Sequence, residues 1–201
     1  ASHEEEIDLS APGSWVLLSR SKFFLTRLKK ICHQQGYGYK MYGQSSLDTK
    51  ETRAIISWER LRKDNTILPV DAKNLLSFLP HKIKLEEKAT YLLKDFGFNS
   101  EVKRHDWMTV LTTIHPEERE YLRSCLRNGE KFGEEPRITI STIHQIKGGE
   151  ADNVVLVMDV GGKAWSHIAT DEEIRVWYVA VTRARKNLFL IRPRSLKFFD
   201  I

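Results

Sequence analysis

A run of five apolar residues, VVLVM at positions 154–158, is the feature that most limits how this chain can fold. Its unbroken apolar character is typical of a strand that is buried on both faces of a parallel sheet. Around it, segments with strand patterns alternate with segments of helical periodicity. This alternation predicts an α/β domain with a mainly parallel sheet.

Further elements can be predicted from short apolar runs and from helical spacing. Strands are expected at residues 15–18, 39–42, 138–141 and 187–191, and helices at 21–35, 49–62 and 170–184. Gly36 is placed to end the first helix, and Thr170 with Glu173 forms a capping-box pattern at the start of the last. One face of that last helix, predicted to pack on the sheet, carries Ile174, Trp177, Tyr178 and Val181.

The segment 63–137 differs from its flanks in composition and hydrophobic pattern, with four prolines and several short amphipathic stretches. Helical character is expected over 107–126, where Pro116 is placed to begin a new helix. We interpret 63–137 as a small helical insert. The predicted organisation is a flexible lead-in at 1–14, an α/β domain formed by 15–62 and 138–201, and the insert between its two parts.

Composition sets only broad limits on function. The net charge of +5 and the pI of about 9.1 fit a nucleic-acid partner without demanding one. Cys32 and Cys125 belong to no CxxC pair or zinc-like cluster, so no metal site is predicted. No signal peptide or membrane span is visible, which predicts a cytoplasmic protein with no membrane partner. The first residue is not Met, which indicates a piece of a longer protein.

A polar loop joins the predicted strand at 138–141 to the apolar strand at 154–158. It carries Thr142, His144, Lys147, Gly148, Gly149 and Glu150. A glycine pair beside a lysine and a carboxylate lets backbone amides approach a phosphate or a sugar closely. On residue types alone, a tight connection with solvated charges is the better explanation. Loops at the carboxyl ends of parallel strands are where ligands bind, so this loop and the region near Arg183 are the expected site.

The last predicted helix ends in a cluster of cations: Arg183, Arg185 and Lys186. Cations are favoured at a helix C-terminus, which explains the sign of the charge. It does not explain a Thr-Arg-Ala triplet that directly follows a buried apolar run.

Together, the two segments resemble motifs V and VI of UvrD/Rep-type superfamily-one helicases. The motif V pattern T-x-H-x-x-K-G-x-E is matched by TIHQIKGGE at 142–150, and the motif VI pattern R-x-x-Y-V-x-x-T-R-A by RVWYVAVTRA at 175–184. A weaker likeness covers 16–43, where Arg20-Ser21-Lys22 stands in place of an R-[ST]-N-like turn. The resemblance covers about half of the chain directly.

The resemblance implies a RecA-like, P-loop-type three-layer domain, the second motor domain of an ATP-dependent DNA helicase. In that family, Arg183 corresponds to the catalytic arginine finger, and Glu150 to the carboxylate that accepts a hydrogen bond from the ATP ribose. Gly148, Gly149 and Arg175 complete the implied ATP-binding set. Contacts with single-stranded DNA, or with a duplex junction, are implied for Thr142, His144, Lys147 and Arg20. The implied location is then the nucleoid, and the insert 63–137 is a reduced accessory domain.

The sequence departs from the family pattern at Gly149 and Ala151, where a leucine and a large aromatic residue are usual. The loop around Glu150 is therefore expected to be more flexible and less packed. A phosphate-binding G-x-x-x-x-G-K-[ST] loop is absent from the sequence. The chain is thus expected to form one wall of a site for ATP with Mg²⁺, completed by a missing N-terminal RecA-like domain, and to be inactive alone.

Two other interpretations remain open from the sequence. The chain could be a helicase-derived module without motor activity that binds DNA or docks on a protein. It could also be an unrelated α/β domain in which the two motifs occur by coincidence. If Glu150 and Arg183 lie at the same edge of one sheet, the helicase interpretation is favoured over that of an unrelated α/β domain.

Overall fold

The structure, a computed structural model, describes residues 7–81, 83–146, 149–191 and 193–200. Two compact units divide the chain, one formed by Ala1–Ser46 with Glu135–Ile201 and the other by Leu47–Glu134. No helix within the described ranges is long and apolar enough to cross a membrane.

The first unit is built on one sheet. In the described part of the chain its strands are ordered β3-β2-β4-β1-β5-β6. Every pairing is parallel except that of β2 with β3. The predicted α/β class and mainly parallel sheet are confirmed. The bounds are β1 Trp15–Ser19, β2 Lys40–Met41, β3 Gln44–Ser45, β4 Ile138–Thr142, β5 Ala151–Val157 and β6 Ala184–Ile191.

Strand β5 contains most of the apolar run that constrains the fold. Val154 and Leu156 lie in the core cluster that also holds Trp177, whereas Val155 and Val157 alternate with them and point to the opposite face. All four are fully buried. The prediction that this strand is covered on both faces is therefore confirmed.

The described residues of the first unit form three α-helices: α1 Leu25–Gln35, α6 Gly162–Trp165 and α7 Asp171–Val181. A short 3-10 turn, Lys22–Phe24, precedes α1. The predicted end of α1 is confirmed, because Gly36 takes a left-handed backbone with φ of 69° and donates to the last carbonyls of the helix. Helix α7 packs on the sheet through Trp177, whose ring stacks on Phe199 with centroids 4.8 Å apart.

The second unit is helical, with α2 Lys50–Leu61, α3 Pro69–Leu76, α4 Trp107–Val110 and α5 Pro116–Arg127. Among the described residues of this unit, two 3-10 turns, Leu93–Phe96 and Ser100–Arg104, lie between α3 and α4. Pro116 begins α5 as predicted. The unit starts at Leu47, whereas the sequence places its start at residue 63. Helix α2 lies in it because Trp58 is buried there and donates from Nε1 to the carbonyl of His105 at 3.3 Å.

Residues 7–14 also differ from the predicted flexible lead-in. The side chains of Ile7 and Leu9 are buried, and the backbone amide of Leu9 donates to Oε1 of Gln35 in α1 at 2.9 Å. The guanidinium of Arg137 donates to the carbonyls of Leu9, Ala11 and Gly13. This segment is therefore anchored to the first unit by a cation whose pairing the sequence pattern does not reveal.

Candidate functional site

The carboxyl ends of β1 and β4 bring three of the predicted DNA-contact residues to one edge of the sheet. Ser19 at the end of β1 is in register with Thr142 at the end of β4. Arg20 follows the first strand directly, and His144 follows the second after one residue. The distance from Nη1 of Arg20 to Nδ1 of His144 is 3.5 Å. Arg20, Thr142 and His144 therefore lie together, as the sequence predicts for one site.

Arg20 is held by a carboxylate that the sequence did not assign to it. Its Nε and Nη2 donate to the two carboxylate oxygens of Glu173 at 2.6 and 2.9 Å, and Nε1 of Trp177 donates to the same carboxylate at 3.0 Å. Burial disfavours the ionised form of Glu173, but the hydrogen bonds and charge of Arg20 and the bond from Trp177 bring its pKa below the ordinary value. A charged pair therefore fixes the start of α7 to the end of β1.

This pair corrects two predictions about α7. Thr170 does cap the helix, since its side chain accepts from the amide of Glu173 at 3.3 Å. The reciprocal half of the capping box is wrong, because the Glu173 carboxylate turns inward to Arg20. The predicted buried face is also wrong at Ile174 and Tyr178, which are exposed. The buried face is shifted by one residue, to Glu173, Trp177 and Ala180, since a buried ion pair at Glu173 sets the orientation of the helix.

Thr142 acts within the loop rather than at its surface. Its side chain is buried, and its hydroxyl donates to Oε1 of Gln145 at 3.0 Å. The amides of Gln145 and Ile146 donate back to the carbonyl of Thr142 at 3.1 and 3.2 Å. The resulting tight turn presents His144, which is exposed. Gln145 is thus a structural member of the site that no motif of the sequence indicates.

A cavity of about 510 Å³ opens beside His144 and the Arg20–Glu173 pair. Its lining also includes Ser21, whose buried hydroxyl has no hydrogen-bond partner among the described residues. Burial, and then the positive charge of Arg20, lower the pKa of His144, while Glu173 and Glu172 oppose that shift. The histidine is therefore kept mainly neutral near pH 7.

Glu150 and Arg183 lie side by side at the other end of the sheet. Ala151, the first residue of β5, is in register with Ala184, the first residue of β6, and the amide of Ala151 donates to the carbonyl of Arg183 at 3.0 Å. Residues 150 and 183 therefore directly precede two adjacent parallel strands. They share one edge, as the helicase interpretation requires, but it is the amino edge of these strands. The expectation of the carboxyl edge is wrong for Arg183, because α7 leads the chain back across the sheet.

The side chains of these two residues have different surroundings. Glu150 pairs with Arg185 at 3.1 Å, and the two side chains are 50% and 61% exposed. Arg183 is half-buried, and its Nε donates to the carbonyl of Val179 at 3.2 Å. A Cβ added to Gly149 would lie 3.0 Å from Cδ1 of Ile146, so the glycine allows close packing in this loop. Lys147 and Gly148 lie outside the described residues.

An apolar groove of about 480 Å³ runs along α7 and links the two ends of the site. Its floor is formed by Ile143, Ile146, Val176 and Val179, and its rim by His144, Glu172, Arg175 and Arg183. His144 belongs to the loop after β4, whereas Arg183 lies at the start of β6. The predicted DNA contacts and the predicted ATP contacts therefore border one continuous feature of the first unit.

The arrangement suits an anionic ligand. Arg175 is exposed, and Arg183 shares the rim of the groove with it, so two guanidinium groups are available to oxygens of a phosphate. Within the described ranges, no three His, Cys, Asp or Glu side chains gather into a possible metal site. The guanidinium groups of Arg175 and Arg183 thus fit the oxygens of an anionic ligand.

A comparison with protein-family models finds a match. The model described as the UvrD-like helicase C-terminal domain matches residues 82–195, which is more than half of the chain. The matched range includes β4, β5, α7 and β6, and with them Thr142, His144, Glu150 and Arg183. A comparison with the curated proteins finds no match.

Proposed function

The chain belongs to the family of UvrD-like helicase C-terminal domains, and on this premise we propose that it is the second RecA-like motor domain of an ATP-dependent DNA helicase. Its role is to complete an ATP site whose phosphate-binding loop and Mg²⁺ come from an N-terminal RecA-like domain of the same protein. One observation carries the proposal: Glu150 and Arg183 directly precede the paired first residues of β5 and β6.

Arg183 acts in this proposal as the arginine finger. A guanidinium at the γ-phosphate stabilises charge on the transferring phosphoryl group, an effect of roughly 10³–10⁵ in rate in well-studied NTPases. The bond from Nε to Val179 fixes the stem of Arg183 against the last turn of α7. Arg175, one of the cations on the rim of the same groove, supports the binding of the phosphates.

Glu150 accepts a hydrogen bond from the ribose. Its pair with Arg185 is exposed on both sides, and such pairs are worth about 0–1 kcal/mol. The carboxylate can therefore exchange Arg185 for a ribose hydroxyl at little cost. Gly148 and Gly149 allow the backbone to approach the nucleotide.

Single-stranded DNA, or the single strand at a duplex junction, binds at the carboxyl edge of β1 and β4. His144 and Lys147 contact it directly, whereas Thr142 shapes the turn that presents His144. Arg20 has two nitrogens committed to Glu173, so it reaches DNA only through its remaining Nη1, which faces His144. Phosphate contacts of this kind predict binding that weakens with salt.

Turnover of ATP by the intact protein, with single-stranded DNA present, tests the proposal. Arg183→Ala is expected to lower kcat by about 10³-fold or more, with ATP binding retained. Lys186→Ala is the matched control, since it removes an exposed cation that lies three residues after Arg183 and pairs with Asp152. Unchanged turnover in Arg183→Ala, or ATP hydrolysis by the 201-residue chain alone, would refute the motor proposal. DNA binding without any ATPase activity of the intact protein would favour a module without motor function.

A further inference from the structure

Two aromatic side chains at the surface of the first unit, Phe23 and Tyr42, each neighbour the same lysine, Lys22. The Phe23 side chain is 80% exposed and that of Tyr42 is 53% exposed, values unusual for rings of this size. Nζ of Lys22 lies over the Tyr42 ring, 5.6 Å from its centroid, and Phe23 is the next residue along the chain. We call Lys22, Phe23 and Tyr42 the aromatic platform.

The aromatic platform lies at the same sheet edge as the proposed DNA contacts. Lys22 and Phe23 follow the end of β1, and Tyr42 directly follows the end of β2. Strand β4 lies between these two strands in the sheet. The contact of Lys22 with Tyr42 therefore spans the carboxyl end of β4, where the turn that presents His144 begins.

Tyr42 is fixed at the surface by a tight turn. Tyr42 and Gly43 form the two-residue loop between β2 and β3, with φ of 53° and 79°, and a hairpin turn of this kind requires positive φ at both positions. The turn therefore accounts for the left-handed backbone at Tyr42, and more than half of the ring stays in solvent. An exposed ring at a fixed turn offers a stacking surface of defined position.

The chemistry of the aromatic platform favours single-stranded nucleic acid. Aromatic rings offer stacking surfaces to bases of any sequence, and a neighbouring cation binds the phosphate between them. Lys22 has no carboxylate within ion-pair distance in the part of the chain that the structure describes. A site for an apolar protein surface would leave this charge unpaired when buried. Charge and aromaticity thus complement a DNA strand better than they complement a protein.

We propose that Lys22, Phe23 and Tyr42 form a base-stacking site for single-stranded DNA, which extends the DNA contact from His144 across the end of β4 towards β2. This inference rests on the proposed function, because it assumes that DNA passes along the carboxyl edge. It adds residues that bind DNA mainly by stacking on a base rather than by contacting a phosphate.

The test compares two labelled strands, a thymidine homopolymer and the same sugar–phosphate backbone without bases. Binding of each to the 201-residue chain is measured by fluorescence anisotropy over a range of salt concentrations. The variants are Phe23→Ser, Phe23→Tyr, Tyr42→Asn and Lys22→Gln. Asn tolerates the left-handed backbone at residue 42 better than most residues do, so the fold is preserved. Val70→Ser removes a comparably exposed apolar side chain from the second unit and serves as the matched control.

We expect Phe23→Ser and Tyr42→Asn each to weaken thymidine-strand binding by about tenfold, with little change for the abasic strand and the same salt dependence. Phe23→Tyr and Val70→Ser should bind like the wild type. Lys22→Gln should lower the slope of log affinity against log salt by about 0.7, the loss of one single-strand phosphate contact.

If Phe23→Ser and Tyr42→Asn lose equal affinity for both strands, or lose affinity for neither, the base-stacking site is refuted. If the wild type binds thymidine strands and His144→Gln weakens that binding while the platform variants do not, the stacking site alone is refuted. If the wild type binds neither strand, both the stacking site and the proposed binding of single-stranded DNA are refuted. If Phe23→Ser instead reduces association with the N-terminal motor domain and leaves DNA binding intact, the surface is a protein-docking site and the inference is wrong.

Discussion

The guanidinium of Arg20 donates two hydrogen bonds, of 2.6 and 2.9 Å, to the carboxylate of Glu173, which lies 153 residues further along the chain. Side-chain exposure is 21% for Arg20 and 6% for Glu173. A pair so nearly buried ties the segment after β1 to the first turn of α7. Because α7 ends at Val181, two residues before Arg183, the pair also contributes to the position of the proposed arginine finger.

Removing the charge of Glu173 should destabilise the first unit. Glu173→Gln leaves the Arg20 guanidinium buried without its counter-ion, and losses of this kind reach roughly 3–5 kcal/mol for fully buried pairs. We expect about 2–3 kcal/mol here, since Arg20 retains some contact with solvent. Chemical denaturation of the chain measures the difference. Glu172→Gln, at the exposed neighbouring position, should change stability by less than about 0.5 kcal/mol, and equal effects of the two variants would contradict the assignment.

Acid should weaken the fold through His33. Burial, and then the nearby charge of Lys29, lower the pKa of this histidine from 6.5 to about 4. The unfolded chain therefore binds a proton more tightly than the folded chain does, and stability falls as the pH drops from 6.5 towards 4. The full shift corresponds to about 3 kcal/mol, which we discount to roughly 1–2 kcal/mol because His33 is only half-buried.

Urea unfolding as a function of pH checks this prediction in the wild type and in His33→Gln. The variant should lose the part of the stability decline that lies between the two pKa values. His167→Gln, at an exposed histidine, is the control and should keep the wild-type profile. A decline of the same size in His33→Gln would assign it to other groups.

Binding of single-stranded DNA should strengthen on acidification through His144. Burial and the charge of Arg20 lower the pKa of His144, and the charges of Glu173 and Glu172 oppose that shift. Protonation adds a cation beside the phosphates, so the affinity rises as the pH falls through this lowered pKa. Anisotropy titrations at about pH 7.5 and about pH 5.5 measure the gain. We expect His144→Gln to abolish most of it, and a gain that persists in the variant would exclude His144 as its source.

A methyl group at Gly149 should disturb nucleotide binding. Its Cβ would meet Cδ1 and Cγ1 of Ile146 at 3.0 and 3.1 Å, so Ile146 must shift at the edge of the groove that also holds Arg183. Gly149→Ala in the intact protein should raise the KM for ATP several-fold, with a smaller change in kcat. Gly162 has no heavy atom within 4 Å of such a Cβ. Gly162→Ala should therefore leave the KM for ATP unchanged and stabilise α6 by up to about 1 kcal/mol. A raised KM in both variants would show that the contact with Ile146 is not the cause.

Local sequence patterns were sufficient for most of the elements. The apolar run at 154–158 lies in β5 and one residue beyond it, Gly36 ends α1, Pro116 begins α5, and Thr170 caps α7. Each depends on a residue whose backbone or burial preference acts within a few positions of the chain. The structure divides the chain at Leu47 rather than at residue 63. Helix α2 has the periodicity of any amphipathic helix, and no local pattern specifies which hydrophobic core it packs against.

The sequence by itself determined the α/β class, the family and the two segments that hold Glu150 and Arg183, since strand alternation and ordered motifs are properties of the chain. Only the tertiary structure decided that Glu173 faces Arg20, that Ile174 and Tyr178 remain exposed, and that Arg183 reaches the amino edge of β6. Those outcomes depend on parallel pairing and on ion pairs between residues far apart in the chain. Their energies come from burial, which no local pattern specifies.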